Sequence, residues 1–517
     1  MPYIDIEGEI PDLANGFQIY QCYNILDAAV TAQLQPVIRS AMNENHYRTY
    51  LREMRVMALC LEMSSKGFPI DQWFLAELLW DLEKKAGKAL TRLHQFCEAV
   101  DSPPVNPRST TAVPKLFYEH LGLPPVYEYD RKTKQRKITS DIKALERLRD
   151  SYPIAIPFVN AILAYREHTK MASVFKRGLE PQNQQLRCSF SPSGTDTGRL
   201  SSQQNPYGRG TNAQNLTDYI RTTVCAPEGY AILNLDLKTA ESIAVGFISR
   251  CKAYIDACLT GDVHTAAAKM MFADLPWTGD IRLDKDIAEQ KFYRWFSHRD
   301  LTKKGGHATN YYGRPQTIAQ VAFSGQVPIA IIEEFQRQYF AAFPEIAEWH
   351  LETIARIQRD GVIVTALGRE RRFWGRPDDT ATHRAAIAFH PQSLVADAMN
   401  EGLIQVQEML LRECKDAKCF LGRSGKLLPF QPSTIDLRAQ VHDAGVFLIP
   451  IEGLDTLAPM VQDALQYPVD FGELGVMTIP SDMSLGRRWN KFPKKEPTIY
   501  TREGLKDWSP GQPLHWL

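Results

Sequence analysis

Two aspartates in this chain each lie beside an apolar run that is typical of a buried β-strand. Asp236 follows the run AILNL at 231–235, and Asp443 lies between LRAQV at 437–441 and GVFLI at 445–449. A carboxylate at the end of a buried strand costs free energy unless it is paired or binds a cation. Two such carboxylates repel each other unless a divalent ion lies between them. The pair therefore indicates a metal-dependent site, whereas either aspartate alone would more commonly be a turn or cap residue.

The segment 292–313 is rich in cations, and Asp300 is its single acidic residue. Four of its side chains recur at every fourth position, which predicts one stripe along a helix: Arg299, Lys303, His307 and Tyr311. Two cations, an imidazole and an aromatic ring suit an extended triphosphate that ends in a base. A solvated basic helix face is the alternative. The adjacent Gly305 and Gly306 weaken a helix by about 1 kcal/mol each, which favours a binding site over a purely structural helix.

A polar loop precedes the first aspartate. Residues 191–216 are rich in Gly, Ser, Asn and Gln, and they include Arg199 and Arg209. Such side chains make adaptable hydrogen bonds to sugar, phosphate and minor-groove base edges. A long surface loop with no ligand is an equally good interpretation of this segment taken alone.

Composition limits the class of protein. With 517 residues the chain is long enough for about two to four domains. Lys+Arg and Asp+Glu are equal at 60 each, so any nucleic-acid surface must be locally concentrated. The nine cysteines form no CxxC pair, which argues against zinc ribbons and disulfide scaffolds. The sequence shows no apolar run long enough for a membrane span and no signal peptide, so we expect a cytoplasmic protein and no membrane partner.

Apolar periodicity predicts the elements that must position these residues. We expect a strand hairpin around Asp443 and a weakly structured tail after Trp489. The segment 186–250 is expected to be rich in strands and loops. Helices are expected in four segments: 47–100, with Gly67 as a stop, 155–178, 285–360 and 380–415.

Six motifs occur in an order that resembles family A DNA polymerases, the class of bacterial DNA polymerase I and many phage replicases. The resemblance extends from about residue 47 to 489. It rests on TGRLSS (197–202) followed by Asn212, Gln214 and Asn215, DLKTAE (236–241), DVHT (262–265), the stretch 299–313, LGRERR (367–372) with Arg384 and Gln392, and QVHD (440–443).

The resemblance implies an α+β fold shaped like a right hand, with an antiparallel-sheet palm, helical fingers and a helical thumb. It also implies a phage-type enzyme that acts on primer–template DNA and dNTPs. The implied domains are an exonuclease-like stub at 1–45, the thumb and connecting helices at 46–185, the first part of the palm at 186–265, the fingers at 266–375, and the second part of the palm with the tail at 376–517.

The same resemblance implies two Mg²⁺ ions, with Mn²⁺ as an alternative, held by Asp236, Asp443 and the carbonyl of Leu237. In two-metal catalysis one ion activates the primer hydroxyl and the other neutralises the leaving pyrophosphate. Lys303 is implied to act at the phosphates, where it would be a catalytic residue.

Further roles carried over from the family concern the nucleotide and the DNA. Arg299 and His307 would bind the nucleotide, and Glu241 with Tyr311 would form a gate against a ribose 2′-hydroxyl. The implied DNA contacts are Arg199, Gln214, Asn215, Arg384, Gln392, Gln440 and His442.

The chain departs from the family pattern at several positions. Ala444 replaces the glutamate that usually follows the second aspartate, His307 replaces a phenylalanine, and Ala388 replaces an asparagine. The spacing from Lys303 to the Tyr-Gly pair is one residue longer than usual. Lys304 would restore that spacing, but Lys303 keeps the stripe of four, so Lys303 is the preferred phosphate lysine.

The first residues resemble fragments of a 3′–5′ exonuclease, with Tyr23 and Asp27 in YNILDAAVT and Asp5 and Glu7 near the start. Too few residues separate Asp5 from Asp27 to form the sheet of such a domain. We therefore expect no intrinsic proofreading, and a separate exonuclease polypeptide or a replication accessory protein is a candidate partner.

Two other functions remain open from the sequence. A single-subunit RNA polymerase shares the palm and fingers, although Glu241 and the TGRLSS loop favour DNA synthesis. A non-catalytic DNA-binding relic is the second alternative, which Ala444 favours and the two aspartates oppose.

Overall fold

The protein is described by a computed structural model that covers residues 16–130, 135–180, 182–205, 208–493, 498, 500–515 and 517. At its centre is a five-stranded antiparallel sheet of order β2-β3-β1-β4-β5. The strands are β1 (Tyr230–Leu237), β2 (Asp436–Val441), β3 (Ala444–Pro450), β4 (Ser481–Gly486) and β5 (Lys506–Asp507). The expected hairpin around Asp443 is confirmed as β2 and β3.

Long helices cover the central sheet. The helix Thr380–Lys415 packs against the helices Leu454–Leu465 and Ala240–Ser249, and Leu454–Leu465 also contacts β3. Strand β3 is buried along nearly its whole length, which explains the run of Val, Phe, Leu and Ile in its sequence. The sheet is thus the centre of the main hydrophobic core, and the two aspartates lie at one end of it.

The remaining helices with eight or more residues are Gly16–Ala41, Glu44–Lys66, Gln72–Glu98, Ile142–Ser151, Ile156–Gly178, Lys252–Leu259, Val263–Met271, Ile281–Ala288, Ile329–Ala342 and Pro344–Asp360. Five of them correspond to the predicted segments: Glu44–Lys66, Gln72–Glu98, Ile156–Gly178, Ile329–Ala342 and Pro344–Asp360. The other five lie wholly or partly outside those segments. Seven pairs of short strands form separate two-stranded sheets: Phe68–Pro69 with Gln185–Leu186, Tyr127–Asp130 with Gln135–Ile138, Ser189–Ser191 with Ser201–Gln203, Lys291–Tyr293 with Phe296–Ser297, Val362–Val364 with Glu370–Arg372, Cys419–Leu421 with Leu427–Pro429, and Val469–Asp470 with Val476–Met477.

Two long helices, Gln72–Glu98 and Ile156–Gly178, pack along each other and support a second, separate core. This core is filled by apolar side chains that include Leu93, Phe117 and Phe158. Gly67 ends the preceding helix with a φ of 65°, as predicted for a stop. Among the helices of the described residues, none has the length and apolar character needed to cross a membrane.

The tail after Trp489 was expected to be weakly structured, and this prediction is wrong for its described part. Lys506 and Asp507 form β5 and pair with β4. Trp508 is buried in the main core together with Trp489. An aromatic side chain buries a large apolar area, so one well-placed tryptophan is enough to order a segment that has little periodicity.

The cationic segment forms a helix from His298 to Asn310, which we call the basic helix. It begins as an α-helix at His298–Asp300, passes through a π-helical turn at Leu301–Gly305, and ends as an α-helix at Gly306–Asn310. A π turn contains one more residue than an α turn. This turn takes up the residue that lengthens the spacing between Lys303 and the Tyr-Gly pair.

The paired glycines of the basic helix have a packing role, which corrects the argument drawn from the sequence. A Cβ on Gly305 would lie 2.8 Å from a ring carbon of Phe335, and one on Gly306 would lie 3.2 Å from the Tyr339 ring. Glycine is therefore required because the helix approaches the Ile329–Ala342 helix closely. The glycines by themselves do not favour a binding site over a structural helix.

We predict opposite effects of alanine at two helical glycines. Gly305→Ala should destabilise the protein by about 1–3 kcal/mol because the new methyl group overlaps Phe335. Gly87→Ala is the control: it lies in the Gln72–Glu98 helix, and its Cβ would meet nothing within 4 Å. That variant should gain up to about 1 kcal/mol. Urea unfolding of both variants measures the difference, and equal effects would contradict the packing role.

Candidate functional site

The sheet brings the two aspartates together. Asp236 is the last residue but one of β1, and it is paired across the sheet with Ala444, the residue that follows Asp443. Asp443 lies in the tight turn between β2 and β3, where His442 has a φ of 55°. The backbone N–H of Leu237 donates to the carbonyl oxygen of Asp443 over 2.9 Å. Adjacent strands therefore place both carboxylates at one end of the sheet.

Nearby cations only partly balance the negative charge of the carboxylates at this end of the sheet. Desolvation raises the pKa of Asp443, Arg199 opposes that rise, and the nearby Glu241 and Asp236 carboxylates add to it. Partial desolvation also raises the pKa of Asp236, which Lys491 counteracts. A raised carboxyl pKa means that the ionised form lacks a sufficient counter-charge. A cation bound here would supply it.

The donor set fits Mg²⁺. Within the described part of the chain, no group of three or more His, Cys, Asp or Glu side chains is arranged to hold a metal ion. Mg²⁺ is commonly bound by only one or two carboxylates, with water and substrate phosphates as the remaining ligands. Asp236 and Asp443 provide hard oxygen donors of that number, and the turn leaves Asp443 partly exposed.

Glu241 is the meeting point of three other predicted residues. Arg199 forms an ion pair with Glu241, and its Nη2 is also 3.7 Å from Oδ1 of Asp443. The Tyr311 hydroxyl donates to Glu241, and burial followed by this carboxylate raises the pKa of Tyr311 far above its ordinary value. His307 lies 3.9 Å from Glu241, and its ring packs edge-on against the Tyr311 ring. The expected association of Glu241 with Tyr311 is therefore present.

A cavity of about 580 Å³ opens between the basic helix and Asp443. This volume is in the range of sites that bind small molecules. Its charged and titratable lining residues are Glu241, His264, Lys303, Lys304, His307 and Asp443, and Leu237 also contributes. The cavity thus has one acidic group from the turn between β2 and β3, one from the helix Ala240–Ser249, and basic groups from the basic helix.

Arg299 does not share the cavity, contrary to the expected single stripe. Its Nε and Nη2 atoms each lie 3.1 Å from a carboxylate oxygen of Asp262, and Nη1 lies 3.5 Å from Glu289. The π turn follows Arg299 and changes the direction of all later side chains relative to it. Sequence spacing alone assumed a regular α-helix, and that assumption fails at this turn.

His264 lines the cavity, although it was not among the predicted site residues. Burial lowers its pKa to about 4, and the neighbouring Arg299 contributes to that shift. The residue lies within the DVHT motif, which was the sequence signal that could have identified it. The lowered pKa therefore reflects mainly the burial of the imidazole, with a smaller contribution from the cations near it.

The polar loop before β1 is held by buried side chains. Gln214 donates its Nε2 hydrogen to the Leu200 carbonyl over 2.6 Å, so its amide is used within the loop. Asn400, which is buried, donates to the Gly198 carbonyl over 3.1 Å. A Cβ on Gly198 would lie 2.5 Å from the Arg369 guanidinium. These contacts fix the residue next to Arg199, while Asn215 remains exposed.

A buried ionic network lies behind this loop. Asp397 is fully buried and accepts from Arg369 over 2.8 Å, and it is 3.0 Å from Nη1 of Arg52. Arg369 also pairs with Glu53. Leaving one member of a buried pair without its partner costs about 3–5 kcal/mol. The network therefore joins the Glu44–Lys66 helix to the Thr380–Lys415 helix, a long-range contact that no local pattern in the sequence predicts.

The remaining predicted residues lie in two groups. Gln392 and Arg384 both lie in the helix Thr380–Lys415. Gln392 hydrogen-bonds with the Tyr311 side chain, whereas Arg384 is exposed two turns earlier in the helix. Gln440 is buried and donates to the His442 carbonyl, so it stabilises the turn that carries Asp443. His442 itself is exposed beside the aspartates.

Comparison with known proteins identifies the class to which this fold and site belong. A family model for DNA polymerase family A matches residues 76–491. The chain therefore belongs to DNA polymerase family A.

Two curated relatives illustrate the extent of the similarity. The thermostable DNA polymerase I of Thermus filiformis is 26% identical over 460 residues, which cover 84% of this chain and 47% of that protein. DNA polymerase I of Mycobacterium bovis is 24% identical over 462 residues, which cover 85% and 44%. The chain thus spans about half the length of these relatives.

A solved structure shows the same fold. The POL domain of Pol1 from M. smegmatis, in complex with DNA primer-template and dNTP, superposes with a TM-score of 0.63 at 20% sequence identity. The match covers 85% of this chain and 70% of that one. The expected α+β polymerase fold with an antiparallel sheet is thereby confirmed.

We predict that His264 stays neutral throughout the physiological pH range. Because its pKa is lowered to about 4, the imidazole should begin to gain a proton only below about pH 5. NMR of selectively labelled histidines, with His264→Gln to assign the signal, measures this titration. A midpoint at or above pH 6.5 would contradict the burial of the imidazole at the wall of the cavity.

Proposed function

We propose that this protein is a template-directed DNA polymerase that adds deoxynucleotides to a primer 3′-hydroxyl. The observation that carries the proposal is the cavity in which the Asp443 and Glu241 carboxylates meet the cations of the basic helix. Asp236 precedes Leu237, which lines the cavity, and is paired across the sheet with Ala444. Such a cavity can hold a metal-bound triphosphate between acidic and basic groups. Membership in DNA polymerase family A supports this reaction over other reactions that a site of the same geometry could catalyse.

The two aspartates are the proposed metal ligands, and the Leu237 carbonyl is a further one. Bound Mg²⁺ would lower the pKa of the primer hydroxyl and neutralise charge on the phosphates. The chain's own contribution is to hold both carboxylates at a fixed separation at the end of paired strands. Gln440 supports this by bonding the turn on which Asp443 lies.

The basic helix is proposed to bind the nucleotide. Lys303 lies in the cavity and would interact with the phosphates, where a cation stabilises developing negative charge. His307 lies between Lys303 and Tyr311 along the helix and would pack against the sugar and base. Its ring is exposed and is oriented by the edge-on contact with Tyr311.

Glu241 and Tyr311 are proposed to select deoxyribose. Their hydrogen bond closes one side of the site, so a 2′-hydroxyl would meet a carboxylate that already has Tyr311 and Arg199 as partners. Desolvation of the 2′-hydroxyl without a hydrogen-bond partner costs free energy, so the site would bind a deoxynucleotide in preference to a ribonucleotide. This arrangement favours DNA synthesis over the alternative of a single-subunit RNA polymerase.

The DNA is proposed to run past the loop that carries Arg199. Arg199 and His442 lie beside the aspartates and would contact the primer terminus. The template and duplex contacts are assigned to Gln214, Asn215, Arg384 and Gln392, whereas the buried Gln440 would act only by holding the turn that carries His442 and Asp443. On this basis the palm is formed by 186–265 and 376–517, the fingers by 266–375 and the thumb by 46–185.

Primer extension tests the proposed reaction. The purified chain should extend a primed template with dNTPs and Mg²⁺, and it should extend it poorly with NTPs. Asp236→Ala or Asp443→Ala should lower the rate by at least about 10³-fold, because several kcal/mol of charge stabilisation are lost. Retained extension by Asp236→Ala would refute the mechanism, and absence of extension by the wild type would favour a non-catalytic relic.

The biological setting is also a proposal. The family resemblance suggests replication of a phage genome in the cytoplasm of a bacterial host. The segment with Tyr23 and Asp27 lies in the helix Gly16–Ala41, where Asp27 is exposed, whereas Asp5 and Glu7 lie outside the described residues. An exonuclease polypeptide or an accessory replication protein that acts together with this chain remains the proposed partner.

We predict that the purified chain does not excise a mismatched primer terminus. Asp27 is exposed on a helix, and in the part of the chain that the structure describes no group of three or more acidic, His or Cys side chains is arranged to hold a metal ion. A 3′-labelled mismatched primer, incubated with Mg²⁺ and no dNTP, should keep its label. Steady release of the label that Asp27→Ala abolishes would contradict this prediction.

A further inference from the structure

A buried hydrogen-bonded network adjoins Glu241 and Tyr311, which we call the gate pair. At its centre is Asn310, the last residue of the basic helix, which is 2% exposed. The Nδ2 of Asn310 donates to the Tyr254 hydroxyl, and its Oδ1 accepts from the Tyr339 hydroxyl, each over 2.9 Å. Both tyrosines are buried, and neither lines the cavity.

The network joins the basic helix to three other helices, which are Lys252–Leu259, Ile329–Ala342 and Pro344–Asp360. Tyr254 and Tyr339 come from the first two of these. From the third, the Nε2 atom of His350 lies 2.9 Å from the Asn310 carbonyl oxygen. In the low-dielectric interior, a polar group that loses its partner is costly. The end of the basic helix is therefore fixed in relation to three helices at once.

Tyr254 links this network to both members of the gate pair. Asn310 directly precedes Tyr311, whose hydroxyl donates to Glu241. On the other side, the Tyr254 hydroxyl hydrogen-bonds with the side chain of Ser242, which directly follows Glu241 in the chain. One buried hydroxyl therefore contacts the chain neighbours of both members of the pair.

The ring of Tyr254 makes packing contacts that do not depend on its hydroxyl. It lies edge-on to the ring of Phe343, with centroids 4.9 Å apart, and to that of Tyr339 at 6.3 Å. Such contacts between aromatic rings stabilise a core beyond the burial of their area. Phenylalanine at this position would keep them and lose only the hydroxyl. The position therefore allows a substitution that removes hydrogen bonds with little change in packing.

We propose that Tyr254 is a positioning residue for the choice of sugar. Its hydroxyl holds Ser242 and Asn310, and these two residues fix the adjoining members of the gate pair. Tyr254 would touch neither the nucleotide nor the DNA, because it is 4% exposed. The gate pair excludes a 2′-hydroxyl only if both members keep their positions, and surrounding contacts determine those positions. The inference rests on the proposed function in one respect, namely that the gate pair selects deoxyribose.

Selection of the sugar tests this role. In primer extension by the full chain, the kcat/KM ratio of dNTP to NTP should fall by about tenfold in Tyr254→Phe, which is the effect of one buried hydrogen bond. A variant that only folded less well would lose both activities equally and keep the ratio. Tyr118→Phe is the matched control, since the Tyr118 hydroxyl donates to the Thr139 carbonyl over 3.0 Å beside the second core. It should keep the wild-type ratio.

Fluorine NMR gives a second measurement that needs no activity. With fluorotyrosine incorporated in place of tyrosine, the signal of Tyr311 is assigned by its loss in Tyr311→Phe. This signal should shift in Tyr254→Phe and stay unchanged in Tyr118→Phe. Tyr339→Phe, which removes the other hydroxyl bonded to Asn310, should also shift the signal and lower the ratio. It takes the place of Tyr254→Phe if thermal melting shows that the latter does not fold.

An unchanged ratio or an unchanged Tyr311 signal in folded Tyr254→Phe would overturn the proposal, and so would an equal change in Tyr118→Phe. A wild type that extends no primer refutes polymerisation, and the fluorine signal alone then decides whether Tyr254 positions Tyr311. An active wild type whose ratio does not depend on Tyr254 refutes the positioning role alone.

Discussion

The structure depends on the pairing of β1 with β3, which brings two repelling carboxylates to one end of the sheet. Burial and mutual repulsion raise the pKa of Asp443, and this free energy must be offset by nearby positive charge. Arg199 provides part of it from the loop that precedes β1. Lys303 and Lys304 of the basic helix line the same cavity as Asp443. Much of the surrounding structure can be understood as holding cations close to these two aspartates without neutralising them completely.

Long-range contacts keep those cations in place. Arg199 follows Gly198, which Asn400 and Arg369 hold, and Arg369 is fixed in turn by the buried Asp397. On the other side, Asp262 binds Arg299 and so anchors the start of the basic helix. Buried ion pairs contribute little net stability compared with apolar packing, but they fix geometry because a member that moves leaves a partner unpaired. Here they fix the loop and the helix that border the cavity.

The register of the sheet shows what a larger side chain at Ala444 would contact. Ala444 lies directly opposite Asp236, so its side chain faces the same side of the sheet as that carboxylate. A glutamate in this position would add a further negative charge to a place where the two aspartates already have raised pKa values. Asp482 of β4 already lies opposite Asp236 on its other side, raises the pKa of Asp236 and pairs with Lys238 over 3.1 Å. Glu241 is bound by Arg199 and Tyr311.

The sequence by itself determined the fold class, the major helices, the hairpin around Asp443 and the identity of the paired aspartates, because apolar periodicity and ordered motifs are local properties. It did not determine the direction of Arg299, the burial of the tail at Trp508, or the packing role of Gly305. Those features follow from a π turn, from a core contact and from the close approach of Phe335. Each depends on residues far apart in the chain, or on a departure from regular helix geometry. Only the tertiary structure could therefore decide which cations face the cavity.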